Sequence, residues 1–180
     1  MASIRRRYRV VILGLALAAA SCSKAPGDVQ PLDVHLVMAN ALDPQADRFW
    51  AVGNAAFNEA GWMDQRRISP QEWARAEAAA HDMVETLNTL AQAPHLAVGA
   101  PASTGPDDLT PQQAKRVQAL IQQDRPGFKA LALGVAAFAR EGELAAQNRN
   151  LRLFEQVSDE LDGKCEQCHT RFWIPALSGN

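Results

Sequence analysis

Apolar residues recur at steps of three and four over four long stretches of the chain, the spacing of helices that bury one face. The first stretch runs Leu32, His35, Leu36, Ala39 and Leu42, then Ala46, Phe49, Trp50, Gly53, Phe57 and Ala60. Pro31 opens it and Gly61 ends it. Asp43-Pro44 interrupts it as a kink or a restart, because Asp caps helices and Pro suits their first turn. Ser69-Pro70-Gln71-Glu72 has the form of a capping box and starts a second helix, with Trp73, Ala76, Ala80, Met83, Leu87 and Leu90 on one face and Pro94 closing it. Gly99 to Asp108, with Pro101, Gly105 and Pro106, reads as loop. Thr110-Pro111-Gln112-Gln113 repeats the capping pattern before a short helix to about Gln123, and Asp124-Arg125-Pro126-Gly127 breaks it. Phe128, Leu131, Val135, Phe138, Gly142 and Ala145 mark a third long helix. Leu151, Phe154, Val157, Leu161, Cys165, Cys168 and Phe172 mark the last. Strand-like alternation and internal repeats are absent from the pattern. Four long amphipathic helices with one short insertion predict an all-α four-helix bundle.

The first 30 residues follow another pattern. Arg5, Arg6, Arg7 and Arg9 precede an apolar run from Val10 to Ala20, too short to span a bilayer, where a helix needs about 20 residues. Residues 1–21 therefore read as an export signal. Its end, Leu17-Ala18-Ala19-Ala20-Ser21-Cys22, resembles a bacterial lipobox, with Ala19 where Leu is usual, and Cys22 is then the lipidated N-terminus. Ordinary cleavage after Ala20 is the alternative. Residues 22–30 form a polar tether, and residues 31–180 form the folded domain.

Composition agrees with the helical pattern. Apolar residues make up 47% and charged residues 21%, enough for a buried core and too few charges for a disordered chain. Removing residues 1–21 takes four of the 18 Lys and Arg and none of the 20 Asp and Glu, so the net charge moves from −2 to −6. An acidic domain gives no sign of a nucleic-acid partner and favours a basic one.

The chemistry lies in Cys165-Glu166-Gln167-Cys168-His169. This is the C-x-x-C-H pattern of covalent haem attachment. Two thiols three residues apart share one side of a helical turn and can add to the two vinyl groups of one haem, while the adjacent His169 supplies the proximal iron ligand. A redox C-x-x-C normally opens a helix after a strand, whereas this motif closes a helix in a chain without a βαβ pattern. A zinc site needs a further ligand, and His35, His81 and His95 are scattered singly. With Cys22 consumed by lipidation or removed, haem attachment leaves no free thiol in an oxidising compartment. Haem c, with its iron, is the expected cofactor.

A C-x-x-C-H motif 11 residues from the C-terminus, on the last of four helices, with Phe172 three residues after His169, resembles the cytochrome c′ family of helical-bundle cytochromes. The resemblance covers roughly residues 31–173, and only the motif is specific. It implies an antiparallel up-down-up-down bundle with the short extra helix between the second and third long helices, and a homodimer formed through the first two. It also implies that the first helix crosses the distal face of the haem, where some members carry a Met ligand and others leave the iron five-coordinate.

Met38 is the candidate that resemblance selects as sixth ligand, with His35, one turn earlier, as its competitor. Met83 and Met63 rank below. Trp50, Trp73, Trp173, Phe49, Phe138 and Phe154 are candidate walls of the haem pocket or plain core, and Arg48 or Arg171 is a candidate partner for a propionate. Met/His ligation predicts a one-electron carrier, on the periplasmic side of a bacterial membrane, lipid-anchored through Cys22 and serving a redox partner protein. Without Met38 on the iron, the expectation becomes a five-coordinate haem protein that binds or senses a diatomic gas such as nitric oxide. Paired catalytic carboxylates, a nucleophile–base set and a phosphate loop are not visible, so no enzyme is expected.

Overall fold

In the computed structural model, which describes residues 30–99 and 109–177, the chain is mainly helical. Cys22, the expected leader and all of the tether but Gln30 lie outside the described residues. In chain order the elements are β1 (Leu32–Asp33), α1 (Val34–Val37), a π-helical turn (Met38–Leu42), α2 (Asp43–Ala56), α3 (Pro70–Gln92), β2 (Leu96–Ala97), α4 (Pro111–Gln123), α5 (Arg125–Gln147), α6 (Leu151–Phe172) and α7 (Ile174–Leu177).

The long helices begin where side chains can satisfy their first free N–H groups. Ser69 Oγ accepts from Glu72 N at 3.2 Å while Glu72 Oε2 accepts from Ser69 N at 2.6 Å, which completes a capping box on α3. Thr110 and Gln113 repeat it on α4, at 3.2 and 2.8 Å. Asp124 caps α5 through Gly127 N at 3.0 Å, and Asn150 caps α6 through Leu153 N at 3.2 Å.

The first stretch departs from its periodicity in three ways. Helix does not start at Pro31: Leu32 and Asp33 are extended and pair in parallel with Leu96 and Ala97. The break at Asp43-Pro44 is a widened turn, in which Asp43 N donates to Met38 O, five residues back. Pro44 has no N–H to donate to Asn40, and its ring crowds that carbonyl, so the ladder lengthens by one residue. The extra residue rotates the face, and Leu36, a member of the predicted stripe, is exposed. Lastly, α2 ends at Ala56 rather than near Gly61. Phe57 bridges to Met63 around a turn in which Asn58 Oδ1 accepts from the N–H groups of Ala60 and Trp62, and Gly61 takes φ 81°.

Helix α3 packs along α5 and against α2, and α6 packs on α5 and α2. Two core clusters result. The larger holds Phe49, Trp73, Met83, Leu87, Phe154, Val157 and Leu161. Phe154 meets Phe49 at 4.8 Å and Trp73 edge-on at 5.2 Å between centroids. Gly142 permits the close approach there, since a Cβ would lie 3.0 Å from Phe49 and 3.1 Å from Val157. The smaller cluster holds Val34, Leu90, Val117, Ile121, Phe128 and Phe172, so α4 is a structural cover over one end of the molecule rather than a spur. Met38 packs against both clusters. Among the described residues no helix is long and apolar enough to cross a membrane.

Candidate functional site

Between the two clusters lies a cavity of about 380 Å³, within the range of small-molecule sites. Helix α6 forms one wall. Its buried line of Phe154, Val157 and Leu161 continues one turn at a time into Cys165 and Cys168, where the facing helices draw back. Cys165, Cys168, His169, Phe172 and Trp173 all line the space. The opposite wall comes from α1, the π-turn and the start of α2, with His35, Met38, Leu42, Asp43 and Trp50. Leu87 and Leu90 of α3, Val117 and Ile121 of α4, and Phe128, Ala132 and Val135 of α5 complete an apolar lining.

Three contacts fix the register of these walls. His35 lies against Trp173 with ring centroids 5.7 Å apart, Trp50 Nε1 donates to Ser158 O at 3.0 Å, and a Cβ on Gly53 would lie 3.4 Å from Ser158 Oγ and 3.6 Å from Phe154. Numbers rise on one segment as they fall on the other, so the two run antiparallel. Four residues back from Trp173 is His169, and four on from His35 is Ala39. Ala39 therefore comes abreast of His169, with Met38 next to it and lining the same cavity, and His35 sits one turn further toward Trp173. Asp43 comes abreast of Cys165 by the same register, and its charge is felt there.

Both thiols are half-buried and unpaired. Burial pushes each up to about 11, aided by the carboxylates of Asp162 and Asp43 at Cys165 and by Cys165 at Cys168. Both also stand far from the N-terminus of α6 at Leu151, whose dipole would favour a thiolate. Reactive dithiols need the reverse, a helix N-terminus or a cation that lowers the thiol. Among the described residues no set of three His, Cys, Asp and Glu side chains converges as a metal site.

The cavity thus gathers Cys165, Cys168, His169, Met38 and His35, which are more than 125 residues apart along the chain between the two groups. Of the candidate aromatic walls, Trp50 and Trp173 line it, whereas Phe49, Trp73 and Phe154 belong to the packed cluster and Phe138 lies under Lys164 Nζ at 5.0 Å. Both candidate propionate partners hold protein carboxylates: Arg48 bonds Asp82 at 3.2 Å, and Arg171 bonds Asp124, the cap of α5. His81 Nδ1 is 3.3 Å from Glu143 Oε1 on α5, away from the cavity. Met83 is core.

Sequence reasoning did not find Asp43 and Asp162, nor the walls from α3, α4 and α5. Asp162 could have been read from its place three residues before Cys165 on one helix line. The others follow only from tertiary packing.

Compared with known proteins, the chain matches no family model, no curated protein and no solved structure at a significant level.

Proposed function

We propose that the protein binds one haem c covalently and works as a one-electron carrier. The observation that carries this reading is the cavity shared by the C-x-x-C-H motif on one wall and Met38 on the other. The donor set fits the group: two unpaired thiols for the vinyl groups, an imidazole and a thioether for the iron, and an apolar lining for the macrocycle. When bound, haem supplies a reversible one-electron couple at its iron. Cys165 and Cys168 would fix the group to α6 through two thioethers, each S–H adding across one vinyl group. His169 on α6 and Met38 in the π-turn would be the residues that hold the iron. Leu87, Leu90, Ile121 and Phe128 exclude water, which limits solvent reorganisation on electron transfer.

The finer fold belongs to the same reading. An antiparallel up-down-up-down bundle of α1–α2, α3, α5 and α6, with α4 inserted between the second and third long helices, accounts for the antiparallel register of the first and last segments. With the export signal and Cys22, it gives a periplasmic protein tethered by lipid to a bacterial membrane, serving a redox partner protein. The family resemblance adds a homodimer.

A haem-stained denaturing gel tests the central step. The wild-type band should stain, and Cys165→Ser with Cys168→Ser should abolish the stain. A band that survives both changes removes the assignment. Mass spectrometry of the mature N-terminus decides the anchor, since an unmodified start at Ser21 means cleavage without lipid. A high-spin wild type would favour the other reading, a five-coordinate iron that captures nitric oxide or a similar gas.

A further inference from the structure

One rim of the cavity carries a set of hydrogen bonds that Met38 ligation does not use. The short parallel pair β1–β2 brings Asp33 beside Gly99, two residues after β2. Asp33 divides its carboxylate between two tasks. Oδ1 accepts from the N–H groups of His35 at 3.0 Å and Leu36 at 3.2 Å, capping α1. Oδ2 accepts from Gly99 N at 3.0 Å. The Gly99 backbone approaches so closely that a Cβ there would stand 2.3 Å from Oδ2. Held in this way, the Gly99 carbonyl lies 3.3 Å from His35 Nδ1. Gln118 Nε2 anchors the same segment by donating to Leu96 O at 3.2 Å.

The chemistry of that contact assigns a tautomer. A carbonyl oxygen only accepts, so Nδ1 carries the proton and Nε2 of a neutral ring keeps its lone pair. His35 is then an imidazole with one coordinating nitrogen, on the wall of the cavity that Met38 lines. This arrangement, a ring N–H to a backbone carbonyl, is also how proteins orient an imidazole that binds a metal. Yet the register brings Met38 within one residue of the position abreast of His169, while the His35 ring is held one turn away against Trp173.

We propose that Asp33 and Gly99 form a clasp that selects the iron ligand. By tying the His35 ring to the Gly99 carbonyl, they keep a competent imidazole out of the coordination sphere and leave the sixth position to Met38. The inference rests on the haem reading above. Asp33 and Gly99 are positioning residues. They touch neither iron nor haem and act through His35.

The test compares spin state and carbon monoxide binding of the haem-loaded protein across a short series. Met38→Ala alone should be high-spin and bind carbon monoxide readily, because the clasp still restrains His35. Two independent lesions then open the clasp. Asp33→Asn keeps an acceptor for the α1 cap but presents an amide where Gly99 N–H needs an acceptor, and Gly99→Ala forces a Cβ against Oδ2. Either lesion added to Met38→Ala should return the iron to low spin. It should also weaken carbon monoxide binding about tenfold, as expected if His35 occupies the site nine-tenths of the time. Adding His35→Ala to either double variant should restore the high-spin, gas-binding form. The clasp is refuted if both lesions leave Met38→Ala high-spin. It is equally refuted if Met38→Ala is already low-spin through His35 with the clasp intact. A wild type without covalent haem is a different failure, read on the stained gel, and removes the haem reading itself.

Discussion

The two ends of the helical core are built from the same kinds of residues and do opposite things. Around Phe49, Trp73, Phe154 and Gly142 the helices close until a single added carbon would stand 3.0 Å from a ring. Three turns further along α6 the lining residues are Met38, Ala39, Ala132 and Val135, and a cavity opens. One helix carries both regions. Its line of Phe154, Val157 and Leu161 fills space with side chain, while Cys165 and Cys168 leave space to be filled. A stripe of uniform spacing along α6 therefore records where the helix faces inward and not whether the interior there is full.

That contrast can be broken by mutation. The largest effect belongs to the packed end. Phe154→Ala removes a fully buried ring with two aromatic partners and should cost about 3–5 kcal/mol. Chemical denaturation checks it, and haem attachment in the surviving protein should stay normal because the cavity is untouched. At the open end the order reverses. Ala132→Leu adds bulk at a cavity wall, so in the haem-free chain it should change stability by less than about 1 kcal/mol, with either sign. It should instead lower haem incorporation, measured as the ratio of haem to protein absorbance. A large stability loss in the haem-free variant would mean that the cavity is not there.

A smaller effect sharpens the account of the thiols. In the haem-free chain both cysteines titrate near 11 rather than at the ordinary 9.0, so the folded state binds protons more tightly than the unfolded state. Their contribution is whole below pH 9 and is lost as pH rises from about 9 through 11. Stability should fall in that window, and the Cys165→Ser, Cys168→Ser variant should lose that part of the slope. Alkylation of the folded wild type should be slow at pH 8 and accelerate up to about pH 11. Fast labelling near neutrality would instead indicate activated thiols of the redox type.

Much of this was legible in the sequence because it depends on neighbours within four residues. The capping boxes at Ser69 and Thr110, the break at Asp124-Arg125-Pro126-Gly127, and the position of the motif at the end of its helix are all local. What was not legible depends on distant partners. Pairing of Leu32 with Leu96 pulls two residues out of a helical pattern, and no periodicity reveals a bridge across 64 positions. The π-turn was marked by Asp43-Pro44, but the pattern could not say whether the helix would kink, restart or widen. Its consequence, the exposure of Leu36, follows from one inserted residue. Arg171 had the right charge for a propionate and lies near the motif, yet Asp124 claims it, and that pairing joins elements 47 residues apart. Met38 was selected by family resemblance; its place in one cavity with His169 comes from the antiparallel register of α6 with the first helical segment.

The central claim is that one cavity holds a haem between His169 and Met38. An absorption spectrum of the exported, purified protein in both oxidation states tests it most directly. A covalent low-spin haem, with the ferric charge-transfer band of a thioether–iron bond that vanishes in Met38→Ala, is the predicted result. A high-spin spectrum near neutral pH, or a low-spin one that Met38→Ala leaves unchanged, would contradict it.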